Sequence, residues 1–185
     1  MRAKELPVTK VISDRLIFRT LGKEDVSERY INWLNDPEVN RYLETRFSHQ
    51  CRESCENFVS DMASDADSYL FGIYDKLTIE HIGNIKLGFI NPYHQSAQIS
   101  LFIGEKSCWG KGYATEAIRC ITRWAFDDLN LERLEAGCYE SNLGSLSAFL
   151  KVGYSIEGFF RNNVISDGRR IGSFRLGILK NDRIK

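Results

Sequence analysis

The sequence predicts an α+β fold: a mixed, mostly antiparallel central sheet of six to seven strands with helices packed on it. Three observations lead there. The segments "SYLFGIYD" (68–75), "HIGNIKLGFI" (81–90) and "AQISLFIGE" (97–105) are strand-like and follow one another, with "NPYHQS" as the turn between the last two, which reads as an antiparallel meander. A helical stripe of Ala114, Ala117, Ile118, Ile121 and Ala125 then leads to another strand-like segment at 131–139, and a crossover of that kind makes a parallel pair. Finally, segments 154–161 and 171–180 are joined through "NNVISDGRR", whose Asp-Gly pair signals a hairpin turn.

Taken in order, "RLIFRTL" (15–21) alternates Leu16 and Phe18 against Arg15, Ile17 and Arg19 and suits an opening strand. From Glu24 the spacing turns helical through Val26, Tyr30, Trp33 and Leu34, with acidic residues in the first turn. Asn-Asp-Pro at 35–37 ends that helix, because a residue before proline avoids the helical region. A short helix over 39–43 and a longer one over 50–62 are expected next, before the meander. After the helix at 112–128 and the strand at 131–139, "LGSLSAFLK" (143–151) forms the last helix.

A chain of 185 residues fits one domain, expected to span 1–185. Twenty-five basic residues balance 25 acidic ones, so no general polyanion-binding role follows. Arg161, Arg169, Arg170, Arg175 and Lys180 gather near the C-terminus, but strand alternation scatters them over two faces, so no nucleic-acid partner is expected. The N-terminal stretch has no apolar signal core and no run of 18 apolar residues occurs, so a cytoplasmic location without membrane contact is expected. Five cysteines are an odd number for a disulfide framework, and reduced thiols are the expectation. His49, Cys51 and Cys55 lie close together without a second pair to complete a ligand set, so no metal is expected.

The chemistry-bearing stretch is "CWGKGYATEA" (108–117), a glycine-lysine-glycine loop between an apolar strand and a helix. A Walker A loop fails, because five residues separate Gly104 from Gly110 and Gly112 stands where the magnesium-binding Ser or Thr belongs. A Rossmann loop fails for want of a third glycine and of an opening βαβ unit. What remains is a helix N-terminus with free N–H groups directed at an anion, a shape that a pyrophosphate fits.

"ISLFIGEKSCWGKGYATEAIRCITRWAF" resembles motif A of the GNAT superfamily of acetyl-CoA-dependent N-acetyltransferases, whose loop reads Q/R-x-x-G-x-G/A; Trp109 departs from that pattern. At the expected distance, "NLGSLSAFLKVGY" resembles that family's second segment through Asn142, Ser145, Phe149, Lys151, Gly153 and Tyr154. "DRLIFRTLGKEDV" and "YINWLNDPEVNRYLETR" are similar to the opening of the branch holding the ribosomal-protein N-terminal acetyltransferases and relatives that modify amino sugars.

The resemblance implies acetyl transfer from acetyl-CoA to a primary amine, in a V-shaped splay between strands 97–105 and 131–139. Backbone groups around Phe102 and Ile103 are implied to hold the pantetheine and polarise the acetyl carbonyl. The loop Trp109, Gly110, Lys111, Gly112, Tyr113, Ala114 and Thr115 is implied to bind the pyrophosphate, with Asn142 and Lys151 in the same cofactor set. Phe149 replaces the tyrosine that many members use to protonate the thiolate, so Ser145 is the expected donor and Tyr139 the substitute acid. A glutamate of some members aligns near Gly137 and cannot be carried over, which leaves Glu105, Glu140 and Glu44 as carboxylates near the cleft. Glu105 is the catalytic candidate among them, while Trp33, Tyr42, Glu44 and Phe47 are expected on the acceptor side. "WLNDPEVNRYLETR" resembles members that acetylate nucleotide-linked amino sugars, which implies such an acceptor, while the wider branch implies protein N-termini and polyamines as alternatives. A noncatalytic CoA-binding module is the competing class, and the branch implies a homodimer.

Overall fold

The structure, a computed structural model, describes residues 10–182; residues 1–9 of the stretch read for a signal segment lie outside the described residues. Its strands are β1 (Lys10–Ile12), β2 (Leu16–Thr20), β3 (Tyr69–Asp75), β4 (His81–Asn91), β5 (Ser96–Ile103), β6 (Arg133–Tyr139), β7 (Ser155–Ser166) and β8 (Arg169–Leu179). The helices are α1 (Glu28–Asn35), α2 (Arg52–Ser64), α3 (Tyr113–Asp127) and α4 (Leu143–Val152). All the strands join one sheet in the order β1-β2-β3-β4-β5-β6-β8-β7, in which β5 and β6 run parallel and every other pair is antiparallel.

Eight strands exceed the six to seven expected, and the extra one is β1. Its three residues carry too short an alternation to register in the sequence, yet Val11 pairs with Phe18 across the tight turn closed by Ser13 N–H and the Leu16 carbonyl. The first helix starts at Glu28 rather than Glu24, because Ser27 Oγ accepts from Tyr30 N–H and caps it there. No helix forms over 39–43. Asp36 Oδ1 accepts from Glu38 N–H and Asn40 Nδ2 reaches back to the Leu34 carbonyl, and such side-chain bonds hold the backbone in turns. The C-terminal hairpin is longer than expected: most of "NNVISDGRR" is strand, and only Asp167 and Gly168, both at positive φ, make the turn.

Neighbouring residues of β3 belong to different cores, Leu70 to one and Phe71 to the other, so the sheet is covered on both faces. The larger core joins Ile118, Ile121 and Ala125 of α3 and Phe149 and Val152 of α4 to Ile85, Ile99 and Leu134 of the sheet. The smaller joins Tyr30, Trp33 and Leu34 of α1 and Val59 of α2 to Leu70. At the end of α4, Gly153 takes φ 120°, which returns the chain under α3, where Tyr154 packs on Phe149 and bonds Thr122 at 3.0 Å. Among the described residues no helix is long and apolar enough to cross a membrane.

Candidate active site

The parallel pair is short. Ser96, Ala97 and Gln98 face Arg133, Leu134 and Glu135, and pairing stops there although β5 runs on to Ile103 and β6 to Tyr139. Beyond Gln98 the strands splay, and a cleft of about 1170 Å³ opens between them. Phe102, Ile103, Tyr139, Asn142, Ser145 and Lys151 all line it.

At its mouth stands the N-terminus of α3. Gly110 and Gly112 sit at φ 74° and 81°, a region where a side chain is strained, and a Cβ on Gly110 would meet nothing within 4 Å. No amide of residues 110–115 donates a hydrogen bond within the described residues; the first helical bond runs from Glu116 N–H to the Gly112 carbonyl. Six unpartnered amides at the positive end of a 15-residue helix form a cradle for an anion, and it fits a pyrophosphate.

Two side chains hold the loop. Trp109 is 43% exposed, and its Nε1–H donates to the Ile103 carbonyl at 2.7 Å, which ties the loop to the end of β5. Arg15 was missed by sequence reasoning. Its Nη1 donates to the Lys111 carbonyl at 3.1 Å, its guanidinium lies 4.4 Å from the Tyr113 ring centroid, and its Nε bonds Glu116 at 2.7 Å. Burial would raise the Glu116 pKa, but the Ser13 hydroxyl, the Arg15 amide and the Arg15 guanidinium together hold it below the ordinary glutamate value. Alternation in "RLIFRTL" showed that Arg15 lies off the core face; a link spanning almost a hundred residues carries no local signal.

Asn142 is the N-cap of α4, its Oδ1 accepting from Ser145 N–H at 3.1 Å. Ser145 Oγ makes no hydrogen bond among the described residues and lies on the cleft wall. Phe149 is buried beside it. Opposite, the Tyr139 hydroxyl donates to Glu44 Oε1 and accepts from Arg46 Nη2 at 3.0 Å. Burial first, and the bond to Glu44 second, raise the Tyr139 pKa. Tyr42 packs edge-on against Tyr139 and bonds the Ser141 carbonyl, so the segment after α1 is pinned to the end of β6.

Several expected residues lie elsewhere. Trp33 is 6% exposed and covers Gly104 from within the smaller core, because an indole on the inner face of α1 fills the space that glycine leaves. Glu105 does not line the cleft; its carboxylate accepts from Ser107 and caps a short turn. Glu140 is likewise engaged outside it, by Gly172 N–H. Lys111 does not line the cleft, and its carbonyl accepts from Arg15 Nη1. Phe47 is 66% exposed and stacks on Arg46 outside the lining.

A parallel pair that splays over a cradle of free amides is the arrangement that the resemblance to acetyl-CoA-dependent transferases implied. The family model described as acetyltransferase (GNAT) domain matches residues 15–155. A Bacillus licheniformis protein named as the uncharacterized N-acetyltransferase p20 is 30% identical over 92% of this chain and 96% of its own. The spermidine N(1)-acetyltransferase of Escherichia coli K12 is 26% identical, over 88% of this chain and 84% of its own. The crystal structure of spermidine N-acetyltransferase from Vibrio cholerae, in complex with CoA and spermine, has a TM-score of 0.81 at 23% identity, covering 91% of this chain and 97% of that one. The chain belongs to the GNAT acetyltransferase family, and it is an acetyl-CoA-dependent N-acetyltransferase.

Proposed function

We propose that the splay between β5 and β6 is the site of acetyl transfer to a small primary amine. The observation that carries this reading is the coincidence of the unpaired ends of the two strands with six free amides at the start of α3. Acetyl-CoA supplies the activated acetyl thioester; the chain's own residues position it and manage protons. The amides of residues 110–115 hold the pyrophosphate, and the free edge of β5 near Phe102 and Ile103 receives the pantetheine. Lys151 lies along the same wall, while the Asn142 carbonyl oxygen is spent on the helix cap.

Ser145 Oγ is the hydrogen-bond donor for the departing thiolate, because Phe149 has no proton to give. Tyr139 is less suited to that task than the sequence suggested, since its proton is directed at Glu44. Glu44, in contact with Tyr139 and Arg46, takes the place intended for Glu105 as acceptor of the amine proton. The nucleotide-linked amino sugar remains one acceptor to test, without support from the relatives named above, two of which are named for spermidine.

The test is thermal unfolding with and without acetyl-CoA, followed by thiol release with amino sugars, peptides and polyamines. A raised midpoint together with release on one acceptor class is the expected result. No rise with acetyl-CoA, or no release with any amine, overturns the reading.

A further inference from the structure

The charges along the cleft are unevenly committed. Three acids line it, and each is engaged: Glu38 by Lys106, Asp167 by Arg41 at 2.8 Å, and Glu44 by Tyr139 and Arg46. Two cations on the acceptor side are not. Lys86 of β4 and Arg175 of β8 line the cleft, and among the described residues neither makes a hydrogen bond or an ion pair. Each leans on an aromatic ring, Lys86 Nζ at 5.2 Å from the Phe89 centroid and the Arg175 guanidinium at 5.0 Å from Phe160; Lys86 also acts on Asp65 through space, without an ion pair, so Arg175 is the less committed of the two.

The register sets these cations in one row. Lys86 pairs with Ser100 and Gly137 pairs with Arg175, while Ser100 and Gly137 each lie two residues past the last parallel pair, Gln98 and Glu135. Lys86, Ser100, Gly137 and Arg175 therefore cross the sheet at one level, and the splay passes between the middle two. Their neighbours Ile85, Leu87, Ile99, Ala136 and Leu176 belong to the larger core, so the row is on the opposite face, away from α3 and α4. Gly137 lets the arginine lie close: a Cβ there would stand 3.0 Å from Arg175 Nη1. A molecule seated over Ser100 and Gly137 thus has a cation on either flank.

We propose that the amine acceptor carries an anionic group, a carboxylate or a phosphate, and that Arg175 with Lys86 forms the subsite that binds it. This rests on the cleft being the acetyl-transfer site. A guanidinium fork matches carboxylate and phosphate oxygens bidentately, and a nearby ammonium adds a second charge. A polyamine has the opposite need, for unspent carboxylates around its second ammonium, and the three acids of this cleft are already engaged.

The experiment measures kcat/KM by thiol release for matched acceptors: 4-aminobutyrate, its amide and the diamine of equal chain length, and glucosamine with and without a 6-phosphate. The expected result is that anionic members exceed their neutral counterparts by about tenfold or more, and that Arg175→Gln brings this ratio to about one. Equal or better use of the diamine, or an unchanged ratio in Arg175→Gln, overturns the proposal. Should no acceptor turn over, the acetyl-transfer reading fails by itself, and the subsite is judged separately. CoA-saturated protein with ¹⁵N-labelled arginine is then titrated with inorganic phosphate and with 4-aminobutyrate. A saturable shift of the Arg175 Nε signal, absent in Arg175→Gln, upholds the anion subsite, and no saturable shift with either probe overturns it.

Discussion

The indole N–H of Trp109 donates to the carbonyl oxygen of Ile103 at 2.7 Å, so the last residue of β5 is bonded directly to the loop that precedes α3. The residue that departs from the family's loop pattern thereby sets the distance between the free strand edge and the amide cradle. Trp109→Phe keeps the ring and removes the donor. It is expected to raise the acetyl-CoA KM by about three- to tenfold, the worth of one hydrogen bond, with kcat less affected. Steady-state kinetics check this; an unchanged KM would assign the indole to packing alone.

Gly112 is the N-cap of α3 at φ 81°, where the nearest atom to an added Cβ is Arg15 Nη2 at 3.6 Å. Gly112→Trp is expected to abolish CoA binding by calorimetry while circular dichroism stays native, because the strain and bulk fall on the cradle and not on the core. Wild-type affinity in this variant would refute the cradle.

Glu116 supplies the pH-dependent part of the loop's anchoring. Its pKa is lower folded than unfolded, so its contribution is fully present above the ordinary glutamate value of about 4.3 and is lost as pH falls through the folded value. Glu116→Gln is expected to cost about 1 kcal/mol at pH 7, allowing for solvent at half-exposed Arg15, and the gap from wild type should close below about pH 4. Denaturant midpoints at several pH values measure it. A gap that persists in acid would mean that packing, not charge, holds the loop.

Ser145→Ala tests the donor to the thiolate. A fall in kcat of about tenfold or more, with little change in the acetyl-CoA KM, is expected of a bond formed as the thiolate departs. A wild-type rate removes Ser145 from the mechanism.

For proton removal, Glu44→Gln keeps a hydrogen-bond acceptor for Tyr139 but loses the charge. A loss in kcat of about 100-fold is expected, and Glu105→Gln, whose carboxylate caps a turn outside the cleft, serves as the contrast. Equal losses in the two variants would return Glu105 to the catalytic set.

Local pattern alone determined most of the fold. The alternation of Leu16 and Phe18, the stripe from Ala114 to Ala125 and the Asp167-Gly168 turn each specify a strand, a helix or a hairpin within a few residues. The glycine loop likewise marked the amide cradle, whereas Asn142, which the family's second segment assigned to the cofactor, caps α4 through its Oδ1. What the sequence left open depends on long-range contact. β1 exists only because β2 is there to pair with it, and Arg15 meets Glu116 and Lys111 only after the sheet has brought the two ends of the first hundred residues together. By periodicity Trp33 could face the core or the cleft, and Gly104 decided it by leaving room beneath α1. Of the carboxylates expected near the cleft, Glu105 caps a turn outside its lining while Glu44 meets Tyr139, because the segment after α1 folds back onto the end of β6. Charge in the cleft was decided the same way, since 25 acids against 25 bases do not say which remain unpaired, and only the register places Lys86 and Arg175 in one row.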